Sequence, residues 1–252
     1  MTKEIREQLL SMSEKDYMEF SSALIPGVND MLGIRLPKLR TLAKQIAKKD
    51  WEEAMEEQDI YFEERMLRGM VISYAIKNLQ QAIPYIEAFI PLVDNWSICD
   101  SVFAGMNVFQ KDREFTWEWI QKYLDSGKEF EVRVALIIMM QHLLKTDESG
   151  RKMQRLGCVT REMLSADNDE KGLFMERVLA AADREFSEGY YASMAAAWLI
   201  AEAFCIFPYH TMLLLKNNHL DKDTYNKAIQ KIVESRIPED DVKYDLRGMK
   251  RK

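Results

Sequence analysis

Apolar residues recur along this chain at the three- and four-residue spacing of a helix, and no run shows the strict alternation of a half-buried strand. The pattern predicts helices near 2–12, 14–24, 36–49, 50–57, 61–76, 78–91, 95–109, 113–125, 129–145, 157–166, 171–187, 190–206, 208–217 and 221–236. Between them stand the expected breaks: Pro26-Gly27, Gly33 before Pro37, Pro91, Ser126-Gly127, Ser149-Gly150, Gly189, Pro208 and Pro238. Ser13, followed by Glu14 and Lys15, and Asp221, ahead of a Tyr225/Ile229/Ile232 stripe, read as helix N-caps.

Two kinds of helix alternate. Those at 129–145 and 190–206 are strongly apolar, whereas those at 113–125 and 221–236 are amphipathic. Strongly apolar helices start near 61, 95, 129, 171 and 190, the first three about 34 residues apart, a period that suits stacked antiparallel helix pairs. The fold class is therefore all-α with HEAT-like helical repeats. No low-complexity linker interrupts the chain, so one domain over residues 1–252 is expected.

Composition agrees: ten Gly and six Pro in 252 residues favour long helices over a turn-rich β architecture, and sixteen Met suit irregular gaps between packed helices. The N-terminal MTKEIREQLL is charged throughout, and the longest uncharged apolar stretches, Val134–Met140 and Met194–Ala201, fall far short of the roughly 18 residues that span a bilayer. Cys99, Cys158 and Cys205 are too few and scattered for a disulfide framework or zinc site. A cytoplasmic protein without membrane attachment, metal or cofactor is expected.

Charge complicates the picture. A net charge of −6 argues against nucleic-acid binding, but the charges are segregated. Met31–Lys49 has no acid and carries Arg35, Lys38, Arg40, Lys44, Lys48 and Lys49; Trp51–Glu64 then holds seven acids and no base. A second acid-free window, Gly150–Arg161, carries Arg151, Lys152, Arg155 and Arg161, and the tail adds Lys243, Arg247, Lys250, Arg251 and Lys252. These windows are either solvated helix faces or a phosphate-binding stripe on an otherwise acidic molecule.

Glycine-rich phosphate loops and the G-x-S-x-G nucleophile turn are absent, and His142, His210 and His219 have no metal-ligand spacing. What stands out are polar and aromatic residues inside apolar helices. Trp96 and Asp100, four apart, share a helix face, and a carboxylate beside an indole is costly if simply buried. Arg133 opens the apolar run Val134–Met140, and Trp198 lies on the stripe Tyr190, Met194, Trp198, Glu202. Each also has a structural reading: Trp96 and Trp198 as core anchors, and Asp100 and Arg133 as ion-pair partners, with each other or with neighbours.

Together these segments resemble the AlkD-like (AlkC/AlkD) DNA alkylation repair enzymes. Leu32–Arg40 looks like the family's G-[VI]-R-x-P-x-L-R motif, Asn95–Asp100 like its W-x-x-x-D motif, Val132–Leu136 like the helix presenting its active-site arginine, and Met194–Glu202 like its second tryptophan helix. The resemblance implies a curved α-solenoid, or superhelix, gripping duplex DNA as a monomer, and a glycosylase that hydrolyses the N-glycosidic bond of cationic alkylpurines such as N3-methyladenine and N7-methylguanine. It implies Trp96, Asp100, Arg133 and Trp198 as catalytic residues, with Tyr17 the candidate for the family's N-terminal site tyrosine. Because a cationic purine is already a good leaving group, Asp100 would stabilise an oxocarbenium-like sugar and orient water. Arg133 would hold a phosphate, and both indoles would face the cationic nucleotide. Arg35, Lys38, Arg40, Lys44, Arg151 and Lys152 would contact the DNA backbone.

A non-catalytic HEAT-like module binding protein or nucleic acid is the competing expectation. Leu24–Val28 superficially resembles a helix-hairpin-helix turn, but Asn29 stands where that motif needs Gly.

Overall fold

The computed structural model describes every residue except 148, 167, 168, 170, 171 and 173. Among the described residues the fold is all-helical: thirteen α-helices, no strand, and two isolated bridges, Thr146 with Lys152 and Val159 with Pro238. The chain forms two compact units, Met1–Asp112 and Arg113–Lys252.

The first unit contains α1 (Lys3–Ser11), α2 (Lys15–Leu24), α3 (Leu36–Ile46), α4 (Phe62–Ala75), α5 (Leu79–Phe89) and α6 (Trp96–Phe103). Its centre is α4, whose Leu67 and Val71 are fully buried and which packs on α3, α5 and α6. Burying each such aliphatic side chain stabilises by about 1.5–3 kcal/mol. Gly69 permits the close approach, since a Cβ there would lie 2.6 Å from the Phe89 ring of α5 and 2.7 Å from Val102 of α6. Two acids at the start of α4, Glu63 and Glu64, complement the helix dipole although they are 1% and 0% exposed. Arg6 pairs with Glu64 at 2.6 Å, and the Tyr61–Glu64 capping box closes the helix end.

The second unit contains α7 (Arg113–Leu124), α8 (Glu129–Ile138), α9 (Met175–Ala182), α10 (Tyr190–Phe204), α11 (Pro208–Lys216), α12 (Lys222–Glu234) and α13 (Asp240–Gly248). Here α10 is central, packed on α8, α12, α11 and α9. Its alanines, including the buried Ala192, Ala195, Ala196 and Ala203, leave room for helices on several sides.

The strongly apolar helices expected to start near 61, 95, 129 and 190 begin at Phe62, Trp96, Glu129 and Tyr190. Several boundaries differ, each for a local reason. The helix expected over 157–166 is a single 3-10 turn, Glu162–Leu164. The backbone before it pairs elsewhere: Leu156 N–H donates to the Cys205 carbonyl, and Val159 exchanges bonds with Ile237 and Glu239. The span 50–57 keeps only the 3-10 turn Glu53–Met55, and 95–109 stops at Phe103, resuming as the turn Asn107–Gln110 beyond Gly105. After Ile138, α8 widens into a π-helical turn, Met139–Leu144. For 171–187, helix is present over Met175–Ala182, while 171 and 173 lie outside the described residues. Helix α13 was not anticipated, because only Val242 and Leu246 mark its buried face. Asp221 caps α12, accepting from Thr224 N at 2.8 Å. Ser13 does not cap α2: Glu14 holds that position, and the Ser13 hydroxyl donates instead to the Leu32 carbonyl.

Among the described residues, no helix is long and apolar enough to cross a membrane.

Candidate active site

Helix α6 begins at Trp96 because the Asn95 side chain caps it, accepting from Ile98 N at 3.0 Å. Ile98, Cys99, Val102 and Phe103 point into the core, which leaves Trp96, Ser97, Asp100 and Ser101 half-buried on the opposite face. Trp96 and Asp100 therefore share that face one turn apart, as their spacing predicts. The Trp96 indole N–H donates to the Leu24 carbonyl at the end of α2, 3.3 Å away.

That bond places Trp96 on the wall of a cleft of about 160 Å³ between α2, α4 and α6. Tyr17, Phe20 and Leu24 come from α2, Met66 and Glu63 from α4, and Ser97 and Ser101 from α6. Phe20 and Leu24 are 62% and 52% exposed, so the mouth is an apolar rim open to solvent. Tyr17 is thus brought into the same cleft as Trp96. Asp100 is not among the residues lining it.

Glu63, which periodicity did not single out, supports this cleft. Its carboxylate accepts from the backbone N–H groups of Leu32, Gly33 and Ile34 at 2.8, 2.7 and 3.1 Å. Three amides converge because Gly33 sits at φ +80°, where a Cβ would also strike the Glu14 carbonyl and Met18 at 2.5 Å. The Leu32–Arg40 motif is thereby explained locally: its first residues cradle a buried carboxylate, and its Pro37 sits in the first turn of α3. A carboxylate at the first turn of an apolar helix was the available sequence signal.

Arg35 lies over the Tyr17 ring, 4.7 Å from its centroid, and donates to Glu14 at 2.9 Å. Lys38 donates to the other Glu14 oxygen at 2.8 Å, and these bonds, Lys38 first, hold the Glu14 carboxyl below its ordinary range. Arg40 and Lys44 are exposed at i, i+4 on α3, with Lys44 5.4 Å from the Tyr74 ring centroid.

In the second unit, Arg133 is 5% exposed and donates to the Tyr191 carbonyl at 2.7 Å, anchoring the start of α10 on α8. Trp198 lies seven residues, roughly 10 Å of helix rise, further along α10. Its indole N–H donates to Glu202 at 3.1 Å. Glu202, 4% exposed, also pairs with Lys145 at 2.9 Å and with Arg155 through two nitrogens. Burial pushes the Glu202 carboxyl up, but its bonds with Arg155 and Lys145 outweigh burial and hold it below the usual range. A glutamate inside an alanine-rich helix four residues from Trp198 was the sequence signal for this cluster.

The second basic window is tied up in the same way. Arg151 pairs with Asp147 at 2.7 Å, and Arg161 with Asp245 at 2.7 Å. The Ser149 hydroxyl and Arg151 bring the Asp147 carboxyl down to about 2. Lys152 is exposed beside its bridge to Thr146. Of the tail cations, Arg251 is docked, donating to Leu220 O and Asn218 Oδ1 with its guanidinium 4.2 Å from the Tyr225 ring centroid. Among the described residues no group of three or more His, Cys, Asp or Glu is placed to hold a metal ion.

The family model described as DNA alkylation repair enzyme matches residues 5–165, well over half of the 252-residue chain. Tyr17, Trp96, Asp100 and Arg133 lie within the matched span, and Trp198 beyond it. A comparison with curated proteins finds no match.

Proposed function

The chain belongs to the family of DNA alkylation repair enzymes, and from that premise we propose that it is an AlkD-like DNA glycosylase releasing cationic alkylpurines, N3-methyladenine and N7-methylguanine, from duplex DNA. The observation that supports this reading is that Trp96 and Tyr17 line one aromatic-walled cleft, with Asp100 one helical turn after Trp96 on α6. Electron-rich ring faces attract a cationic base or sugar by roughly 0.5–2 kcal/mol each. The carboxylate then stabilises positive charge that develops on the sugar as the bond breaks.

The roles are assigned residue by residue. Asp100 stabilises the oxocarbenium-like sugar and orients water, and Trp96 and Trp198 face the cationic nucleotide. Arg133 meets a phosphate only once it is uncovered, because the residue is 5% exposed and its guanidinium donates to the Tyr191 carbonyl. Arg40, Lys44 and Lys152 contact the backbone as exposed cations, while Arg35, Lys38 and Arg151 do so only by sharing their charge with Glu14 and Asp147. A HEAT-like superhelical stack acting as a monomer in the cytoplasm, with no cofactor, completes the reading.

The test is release of N7-methylguanine from methylated duplex DNA by the purified chain. Asp100→Asn should lower single-turnover release at least 100-fold while preserving the circular dichroism spectrum and DNA affinity. Unchanged release would overturn the mechanism. One observation favours a non-catalytic module: the acids that neutralise Arg35, Lys38, Arg151, Arg155 and Arg161 weaken a phosphate-binding stripe. That alternative predicts no base release by the unmodified protein.

A further inference from the structure

The opposite face of α4 carries a second pocket whose chemistry the repair reading does not use. Phe62, Glu63 and Met66 face the Trp96 cleft, whereas Arg68 and Ile72, about half a helical turn around, line a pocket of about 260 Å³. The two share no residue.

This pocket is an aromatic corner with a carboxylate at its edge. Trp51 and Tyr85 stand 5.0 Å apart at 64°, and Phe89, 1% exposed with its ring turned into the core against α4, closes the floor behind them. Met55, Ile72 and Leu92 complete an apolar lining. The Tyr85 hydroxyl donates to Glu52, which keeps Glu52 beside the two rings and leaves its remaining lone pairs as acceptors. Arg68 also borders the pocket, but its charge is satisfied elsewhere. It donates to both Asp59 oxygens at 2.6 and 2.8 Å and to the Met55 and Glu57 carbonyls at 2.8 and 2.9 Å.

An edge-on ring pair, an apolar floor and a carboxylate acceptor favour one kind of guest. An anion is repelled by Glu52 and by the exposed Glu53 and Glu56 close to it in the chain. A neutral apolar group gains nothing from the exposed Glu52 carboxylate at the edge or from the ring quadrupoles. A bare ammonium would lose hydration to the apolar floor. An alkylated ammonium is cationic and weakly hydrated, and its methyl groups suit the rings. We propose that the Trp51–Tyr85–Phe89 pocket with Glu52 binds a methylated ammonium group, whether the side chain of a methylated lysine or a small free quaternary amine.

The test is calorimetric titration of the full chain with tetramethylammonium chloride, with a peptide containing trimethyl-lysine, and with the same peptide carrying the neutral carbon isostere of that side chain. Saturable binding of the cations is expected, with the isostere at least ten-fold weaker. Tighter binding of the lysine peptide than of tetramethylammonium identifies a protein side chain as the source, and equal binding a free amine; either ranking supports the site. Trp51→Ala should weaken binding at least ten-fold. Glu52→Gln, at an exposed position that leaves the apolar lining intact, should do the same without unfolding the chain. Neither variant should alter N7-methylguanine release, so failure of the repair reading leaves this result intact. No saturable binding by the folded protein, or equal affinity for the isostere, overturns the proposal.

Discussion

Each unit buries a glutamate beside a candidate site, and the two are held by opposite means. Glu63 is surrounded by neutral donors, three successive backbone amides of a loop turned by Gly33. Glu202 is held by charges, Lys145 and Arg155, with the Trp198 indole as a third donor. A nest of amides consumes no cation, so Glu63 is held without withdrawing a basic residue from the surface. The Glu202 cluster instead draws Arg155 out of the second basic window. A residue that counts as a phosphate contact in a charge inventory thus becomes part of an internal ion pair.

The sharpest way to break the comparison is to remove the two carboxylates. Glu63→Ala should destabilise by about 3–5 kcal/mol in urea denaturation, because three amides are left buried without an acceptor. Glu202→Ala should cost about 2–4 kcal/mol by the same measurement, somewhat less because half-exposed Arg155 can turn to water while Lys145 stays in the interior. Near-neutral values for Glu63→Ala would mean that the Leu32–Ile34 loop is not organised around that side chain.

The next effect is on chemistry alone. Asp100→Asn should reduce base release at least 100-fold with unchanged urea midpoint, whereas Glu63→Gln should lower stability and release together. Equal stability losses in the two variants would erase the distinction between a reacting carboxylate and a supporting one.

Acid titration tests the charged support. The folded Glu202 carboxyl titrates below its ordinary value of 4.5, so its contribution to stability is present above that value and is lost as pH falls through the depressed one. Glu202→Gln should therefore flatten the dependence of unfolding free energy on pH below about 4.5. A slope identical to that of the parent protein would show that Lys145 and Arg155 do not hold this carboxylate in solution.

The smallest expected effect concerns the first basic window. Glu14→Gln frees Arg35 and Lys38 from their shared acceptor and should raise affinity for duplex DNA roughly two- to five-fold at low salt, with a steeper salt dependence. Arg40→Ala with Lys44→Ala should lower affinity and flatten that dependence. No response to Glu14→Gln would remove Arg35 and Lys38 from the DNA-binding surface.

Most helices were legible because burial on one face writes a 3.6-residue period into the chain. Trp96–Asp100 was legible for the same reason, as was the start of α12 at Asp221. The segment 157–166 misled because Val159, its one buried residue, spends its backbone N–H and carbonyl on Ile237 and Glu239 rather than on a helix, a partner choice that a local window does not contain. Helix α13 was missed because two apolar positions, Val242 and Leu246, are too few to establish a period. Of the candidate site, Trp96 and Asp100 could be named from spacing, while Glu63 looked like one more acid in an acidic run.

The sequence by itself determined the all-helical class, the starts of the strongly apolar helices at Phe62, Trp96, Glu129 and Tyr190, and the pairing of an indole with a carboxylate on one helix face. All of these depend on residues within one or two turns of each other. Only the tertiary structure decided which charges are spent and which remain. Glu14 claims Arg35 and Lys38 across 21 and 24 residues, Glu202 claims Arg155 across 47, and Glu63 finds its amides about 30 residues upstream. Electrostatic partners are chosen by distance in space, and a chain read in order carries periodicity but not that distance.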